Sequence, residues 1–293
     1  MKNGRRTERY PARDKPEGWT SHDVVGRLRR LTGQRRIGHS GTLDPMATGL
    51  LVVFLGRATR AVEFAEGHDK AYTALLRPGL VTDTLDTTGR VLESTGLRPT
   101  RAELEAVLPA FRGEIEQLPP MYSAIKQGGK KLYEIARAGG QVERKPRRVT
   151  IYRLECTGER GGDFELEIEC SKGTYIRTLC DDIGRALGCG ACMSGLRRTR
   201  AGGFRVEDAL TLEEIELRGA AECLLPVDAL FAGRPIVLIK DERTEKALRN
   251  GADVKLDAPF EGECRVYSQN REFLLLGAVE NGVLHTIKSF FEV

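Results

Sequence analysis

No stretch of this sequence approaches the ~18 consecutive apolar residues that a membrane-spanning helix needs. The longest apolar runs are Leu50–Leu55 and Phe273–Val279. The first residues, MKNGRRTERYPARD, are charged and lack the apolar core of an export signal. Tandem repeats and low-complexity tracts are missing too. These absences argue against a membrane protein, a secreted precursor and a fibrous repeat. Histidine is scarce: His22, His39, His68 and His285 are the whole complement, and they are scattered. The seven cysteines are an odd count in a chain with no export signal, so free thiols in a reducing cytoplasm are expected. Cys189 and Cys192 form a single Cys-x-x-Cys. Structural zinc usually takes a second such pair or two closely spaced histidines. Small buried thiols are therefore expected there, in preference to a zinc or redox centre.

What is present is an ordinary folded composition, 40% apolar and 30% charged over 293 residues. That length suits two domains, or one large domain with a small appendage. The net charge of +4 hides an asymmetry. Residues 1–60 hold thirteen Lys/Arg against five Asp/Glu, which is +8 and leaves −4 for the remainder. A second basic stretch, Arg197, Arg198, Arg200 and Arg205, contains no acid. Such clusters suit a polyanion, because phosphate neutralisation supplies much nucleic-acid affinity. A solvated surface explains them equally well.

Periodicity gives the organisation. Thr20 with Asp23 opens a helix carrying Val24, Val25, Leu28 and Leu31 on one face. A glycine-rich loop over 33–49 leads into a buried strand, Leu50–Leu55. Lys70–Leu76 is a second strand, ending at Pro78-Gly79. Thr100 and Glu103 form a capping box for a helix with Leu104, Val107, Leu108 and Phe111 aligned. Phe164–Cys170 alternates apolar and acidic residues, as a strand with one buried face does. Ile176, Leu179, Ile183 and Leu187 make a helical stripe closed by Gly188. This mixture lacks a strict βαβ rhythm and predicts an α+β fold with a mixed, largely antiparallel sheet flanked by helices. Phe231-Ala232-Gly233-Arg234-Pro235 reads as a linker, dividing a domain over 1–230 from a small, mostly β domain over 231–293. The latter is expected to hold a helix over 241–249, stopped by Asn250-Gly251, and a hairpin turning at Asn281-Gly282. Alone it would be marginal, so it is expected to pack on the larger body.

The most informative stretch is Gly38-His39-Ser40-Gly41-Thr42-Leu43-Asp44-Pro45-Met46-Ala47-Thr48-Gly49. Its glycines and proline constrain the loop, and one acid, Asp44, stands at its centre. Asp44 is either a reacting carboxylate or the cap of a turn before Pro45. A serine-hydrolase elbow fails because Ser40 is followed directly by Gly41. No Gly-x-x-x-x-Gly-Lys-Ser/Thr loop exists for a nucleoside triphosphate. In Asp83-Thr84-Leu85-Asp86 the acids are too far apart for a phosphate-transferring pair and are expected to line a polar turn.

These stretches resemble the TruB-type tRNA pseudouridine synthases. The resemblance is carried by Lys15-Pro16-Glu17-Gly18, the 38–49 loop, Lys70-Ala71-Tyr72, Thr82-Asp83-Thr84-Leu85-Asp86 and Pro120-Met121-Tyr122-Ser123-Ala124. Ser171-Lys172-Gly173-Thr174-Tyr175-Ile176-Arg177 and Leu196-Arg197-Arg198 complete it. The islands come in the family's order and cover residues 15 to 200. One departure lies upstream, where Arg9-Tyr10-Pro11-Ala12-Arg13-Asp14 replaces the family's usual apolar strand. The C-terminal residues resemble a PUA RNA-binding domain, by position, length and the helix ending at Asn250-Gly251.

The resemblance implies the pseudouridine synthase fold and isomerisation of uridine-55 in the TΨC arm of tRNA, with the acceptor stem met by the C-terminal domain. No metal, organic cofactor or protein partner is implied. Asp44 would be the essential carboxylate at the ribose, Arg177 its cationic partner, and Tyr72 a ring against the uracil with a hydroxyl near ribose C2′. Tyr175 and Leu196 would wall the pocket, and Lys15 would hold the loop or meet phosphate. The base must be flipped out of its stack to reach the pocket, and His39 would fill the space it leaves. Arg29, Arg30, Arg35, Arg36, Arg197 and Arg198 would grip phosphates. The alternative is an RNA-binding or tRNA-folding protein with an idle site, which would not need Asp44, Tyr72 and Arg177 together.

Overall fold

The computed structural model describes residues 8–291. Its larger sheet runs in the order Leu225–Pro226, Glu8–Lys15, Thr48–Leu55, Ala191–Ala201, Lys70–Pro78, Asp163–Cys170, Arg147–Arg160 and Gly113–Gln117. Ile37–His39 pairs with Thr48–Leu55, and Phe204–Arg205 with Ala191–Ala201. Every pairing in this sheet is antiparallel except that of Thr48–Leu55 with Ala191–Ala201. The expected α+β class and mixed, largely antiparallel sheet are what the chain adopts.

The expected local signals act where they stand. Thr20 and Asp23 form a reciprocal capping box at the start of the Ser21–Thr32 helix, and Thr100 and Glu103 do the same for Arg101–Val107. The helix Ile176–Ala186 buries Ile176, Leu179 and Ile183 against the sheet. Upstream of Lys15 the chain is a strand despite its charge. It pairs with Thr48–Leu55, and its register shifts between Tyr10 and Arg13, on either side of Pro11. A proline cannot donate to a ladder, so a bulge is where a strand tolerates one.

The second sheet has the order Ile236–Leu238, Gly262–Tyr267, Phe273–Glu280, Val283–Ser289 and Val254–Lys255. The Glu242–Arg249 helix, capped by Asp241, accompanies it. Asn281 and Gly282 both take positive φ, 51° and 72°, the backbone a two-residue hairpin turn demands. The two sheets share a core. Phe231, 1% exposed, meets Phe64, Phe273 and Phe290 at ring-centroid distances of 5.3, 6.1 and 6.0 Å. Arg60 adds a hydrogen bond to the Ser289 carbonyl at 3.0 Å. The 231–235 connection is thus anchored at its first residue and buries aromatic surface from both sheets.

Candidate active site

The 38–49 loop is pinned along its length. Ser40 N–H donates to the Val52 carbonyl at 3.0 Å, and Leu43 is buried and bound at its N–H by the Ser21 hydroxyl at 2.9 Å. The Ala47 N–H donates to the Asp44 carbonyl at 3.0 Å, closing a turn with Pro45 at its first central position. The Lys15 ammonium donates to the carbonyls of Pro16, Trp19 and Pro45. At the exit, Gly49 has φ of +94° and lies so close to the next strand that a Cβ would stand 2.4 Å from the Arg198 carbonyl oxygen. Only glycine fits there.

Within this frame Asp44 closes its turn through the backbone, and its carboxylate does something else. Arg177 Nε donates to one carboxylate oxygen at 2.9 Å and Nη2 to the other at 3.2 Å, a two-pronged pairing that fixes orientation as well as charge. Two further guanidinium donors are used as well, Nη1 on the Thr84 carbonyl at 3.0 Å and Nη2 on the Tyr122 carbonyl at 2.8 Å. Arg177 is 5% exposed, whereas the Asp44 side chain keeps 33% exposure. The anion is therefore anchored from behind and open in front.

Asp86 belongs to this arrangement, although the sequence suggested only a polar turn. Its carboxylate accepts from the hydroxyls of Thr84 and Thr88 and from Thr88 N–H, as a turn residue does. It is also 5% exposed and lies 3.8 Å from Arg177 Nε. The signal that could have revealed it is the hydroxyl-flanked acid in Thr84-Leu85-Asp86-Thr87-Thr88. Leu85 adopts φ of +63°, a costly conformation for a branched side chain. The Leu85 carbonyl and the Thr87 N–H are tied to the backbone of Met193.

Tyr72 lies on the Lys70–Pro78 strand, between Ile168 and Arg198 on its two neighbours. It is 8% exposed and belongs to the core. Burial raises its hydroxyl pKa, against the opposing charge of Arg198, and the Asp44 carboxylate is near enough to act on it. Tyr175 caps the helix that carries Arg177, its N–H held by Gln117 Oε1 at 3.0 Å. Leu196 packs between two of the core clusters. His39 ends the Ile37–His39 strand with Nδ1 buried and unpartnered. Burial and the nearby Arg198 charge lower its pKa, favouring the neutral ring.

The structure places two of the candidate phosphate ligands inside the protein. Lys15 is 0% exposed, with its amine committed to backbone carbonyls. Burial pushes its pKa down to about 8 against the pull of Asp44. Of its two expected roles, the geometry is that of holding the loop. Arg198 is 1% exposed and donates to the carbonyls of Leu50 and Gly41, so it faces the protein and no phosphate. Arg197 is paired with Asp14 at 2.7 Å. Arg29, Arg30, Arg35 and Arg36 are exposed. A further basic stretch lies on the surface. Residues 126–148 carry eight Lys/Arg against two Glu, and Lys126, Lys130, Arg137, Lys145, Arg147 and Arg148 are exposed. All seven cysteines are free and buried. Among the described residues no cluster of His, Cys, Asp or Glu could hold a metal ion, and no helix is long and apolar enough to cross a membrane.

Comparison with known proteins gives this geometry a context. Residues 29–176 match the model of the TruB family pseudouridylate synthase N-terminal domain, and 177–232 match the tRNA pseudouridylate synthase B C-terminal domain. The chain is 44% identical to tRNA pseudouridine synthase B of Dechloromonas aromatica, over 92% of this chain and 90% of that protein. It is 48% identical to the protein of the same name from Geobacillus kaustophilus, over 85% of this chain and 91% of the relative. A solved H/ACA ribonucleoprotein bound to a substrate RNA containing 2′-deoxyuridine superposes with a TM-score of 0.70 at 26% identity, covering 97% of this chain and 85% of that one. The two matched models together span well over half of the sequence, and with these identities they make the chain a member of the TruB family of pseudouridine synthases, isomerases that convert uridine to pseudouridine.

Proposed function

We propose that this enzyme isomerises uridine-55 in the TΨC arm of tRNA, with Asp44 as the reacting carboxylate. The observation that carries the reading is the open-fronted Asp44 carboxylate, oriented in two places by a buried Arg177 that also holds the Thr84 and Tyr122 carbonyls. The reaction breaks the N1–C1′ bond and joins C1′ to C5; the C5 proton departs and N1 gains one. It needs a carboxylate at the ribose and a pocket that keeps the detached uracil from diffusing away. A carboxylate held this way is suited to addition at C1′ and to removal of the C2′ proton alike.

Tyr72 lies beside Asp44 and packs against the uracil, its hydroxyl serving proton transfer at C2′. Tyr175 and Leu196 close the pocket walls. Flipping the base costs about a few kcal/mol, and His39 at the loop's entrance fills the space left behind. Arg29, Arg30, Arg35, Arg36 and the exposed cations of 126–148 meet the RNA phosphates. Residues 231–293 act as a PUA-like module on the acceptor stem and add affinity to the chemistry carried by 1–230. The names of the relatives support tRNA as the substrate.

The test is release of tritium from tRNA transcripts labelled at uracil C5, since that hydrogen leaves only when C5 becomes the glycosidic carbon. A transcript with uridine at position 55 should release one equivalent, and the same transcript with cytidine at 55 should release none. Release from both transcripts would refute the assigned position, and binding without release from either would favour the tRNA-folding alternative.

A further inference from the structure

Arg198 heads the fully buried side chains by size, at 1% exposure. A guanidinium costs a great deal to bury unless its donors are used and its charge is met. Among the described residues no carboxylate lies within ion-pair range of it. Its hydrogen bonds go to neutral oxygens, the Leu50 carbonyl from Nε at 2.7 Å and the Gly41 carbonyl from Nη2 at 3.2 Å, and the Tyr72 phenol lies close enough to feel its charge. An apolar side chain would brace these strands at lower cost, so the retained cation calls for another reason.

Its position supplies one. In the sheet, Arg198 stands directly opposite Tyr72 on one side and Gly49 on the other. Cross-strand neighbours share a face and touch. The strand bearing Tyr72, the strand leaving the Asp44 loop and the loop backbone at Gly41 therefore converge on one guanidinium. We infer that Arg198 is a positioning residue for the isomerisation, fixing the Tyr72 hydroxyl relative to the Asp44 loop so that phenol and carboxylate meet the same ribose. This rests on the reading of Tyr72 and Asp44 given above. A guanidinium held beside the phenol oxygen limits where that oxygen can sit and leaves the hydroxyl proton free to be transferred. The charge also opposes the burial that makes the phenol a reluctant acid.

A double-mutant cycle tests this with four proteins: wild type, Arg198→Lys, Tyr72→Phe and the combination. Each is assayed for single-turnover rate at saturating enzyme, tRNA dissociation constant and melting temperature. Lysine keeps the charge but cannot reach these oxygens from one planar fork. Arg198→Lys should bind tRNA within about threefold of wild type while reacting about 10- to 100-fold more slowly, the penalty of a misplaced group. In the Tyr72→Phe background the same change should cost less than about threefold, because the hydroxyl it positions is gone. Equal losses in both backgrounds, or a rate unaffected by Arg198→Lys, would overturn the inference and leave the reading of Tyr72 standing. A fully active Tyr72→Phe would instead overturn that reading and the inference with it. If Arg198→Lys does not fold, Arg198→Gln takes its place in the cycle. The unmodified enzyme offers a check that needs no substitution, since slowly exchanging Arg198 guanidinium protons should show nuclear Overhauser contacts to the Tyr72 ring. Absence of those contacts in folded protein would also overturn the inference.

Discussion

Replacing Arg177 by lysine should separate charge from geometry at the centre of the site. The guanidinium makes two bonds to Asp44 and one each to the carbonyls of Thr84 and Tyr122. A lysine ammonium on a flexible stem can meet one carboxylate oxygen, which leaves two partly buried carbonyls without their donor. A buried polar group without a partner costs about 1–3 kcal/mol. The loss of one charge-assisted bond adds to this, so about 3–5 kcal/mol of stability should disappear. That is a large part of the ~5–15 kcal/mol a folded protein has. Urea unfolding should show a lower midpoint with an unchanged slope. The carboxylate would no longer be held in two places, and a displacement of ~1 Å can cost about 100-fold in rate. Single-turnover tritium release should therefore fall about 100-fold while tRNA affinity stays within about threefold. A variant within ~1 kcal/mol of wild-type stability and about threefold of its rate would refute the claim that the fork sets Asp44.

Other perturbations follow from the same geometry. Gly49 and Gly41 share φ of +94°, but a Cβ at 49 strikes the Arg198 backbone at 2.4 Å, whereas one at 41 meets only the Arg198 side chain at 3.5 Å. Gly49→Ala should thus be less stable than Gly41→Ala by the overpacking cost, about 1–3 kcal/mol, and equal midpoints would contradict this. Burial, and then repulsion from Asp181, pushes the Asp182 carboxyl up to about 6. Its folded pKa exceeds the unfolded one, so its ionisation costs stability as pH rises from about 4 to 6. Asp182→Asn should therefore gain about 1–2 kcal/mol at pH 7.5 and nothing at pH 4, and an equal gain at both would exclude the titration. Replacing exposed Arg35 and Arg36 together should lower the slope of log affinity against log salt by roughly 1–2 units; an unchanged slope would place the phosphate contacts elsewhere.

Local signals were legible in the sequence because local chemistry decides them. The capping pairs Thr20/Asp23 and Thr100/Glu103, the alternation over 164–170 and the Asn281-Gly282 turn each act within a few residues. The strand over 8–15 was hidden because an edge-region strand can be charged and its pairing is decided by Thr48–Leu55, far along the chain. The Asp44–Arg177 pair came from motif resemblance, since 133 residues separate its members. The surroundings of Asp86 and Arg198 are hidden from the sequence for the same reason. Nothing in Thr84-Leu85-Asp86 says that Arg177 will arrive, and nothing in Leu196-Arg197-Arg198 says that alternate side chains of a strand face opposite ways, one to Asp14 and one to the core. The shared aromatic core at Phe231, Phe273 and Phe290 likewise joins residues too far apart in the chain for any local pattern to mark it. It means that cutting the chain at Pro235 would strip apolar cover from the larger sheet, so surface substitutions are the cleaner probe of what 231–293 contributes.

The central claim is that the Asp44 carboxylate performs chemistry. Its turn is closed by the backbone carbonyl to Ala47 N–H, so the side chain is not needed for that bend. Asp44→Asn preserves size and removes the charge and the reacting oxygen. The measurement is pseudouridine formation by pure Asp44→Asn on uridine-55 tRNA, over an incubation long enough to detect a single turnover per enzyme, with tRNA binding and melting temperature recorded in parallel. The account predicts a folded, tRNA-binding protein that forms no pseudouridine. Sustained turnover by that protein would contradict it.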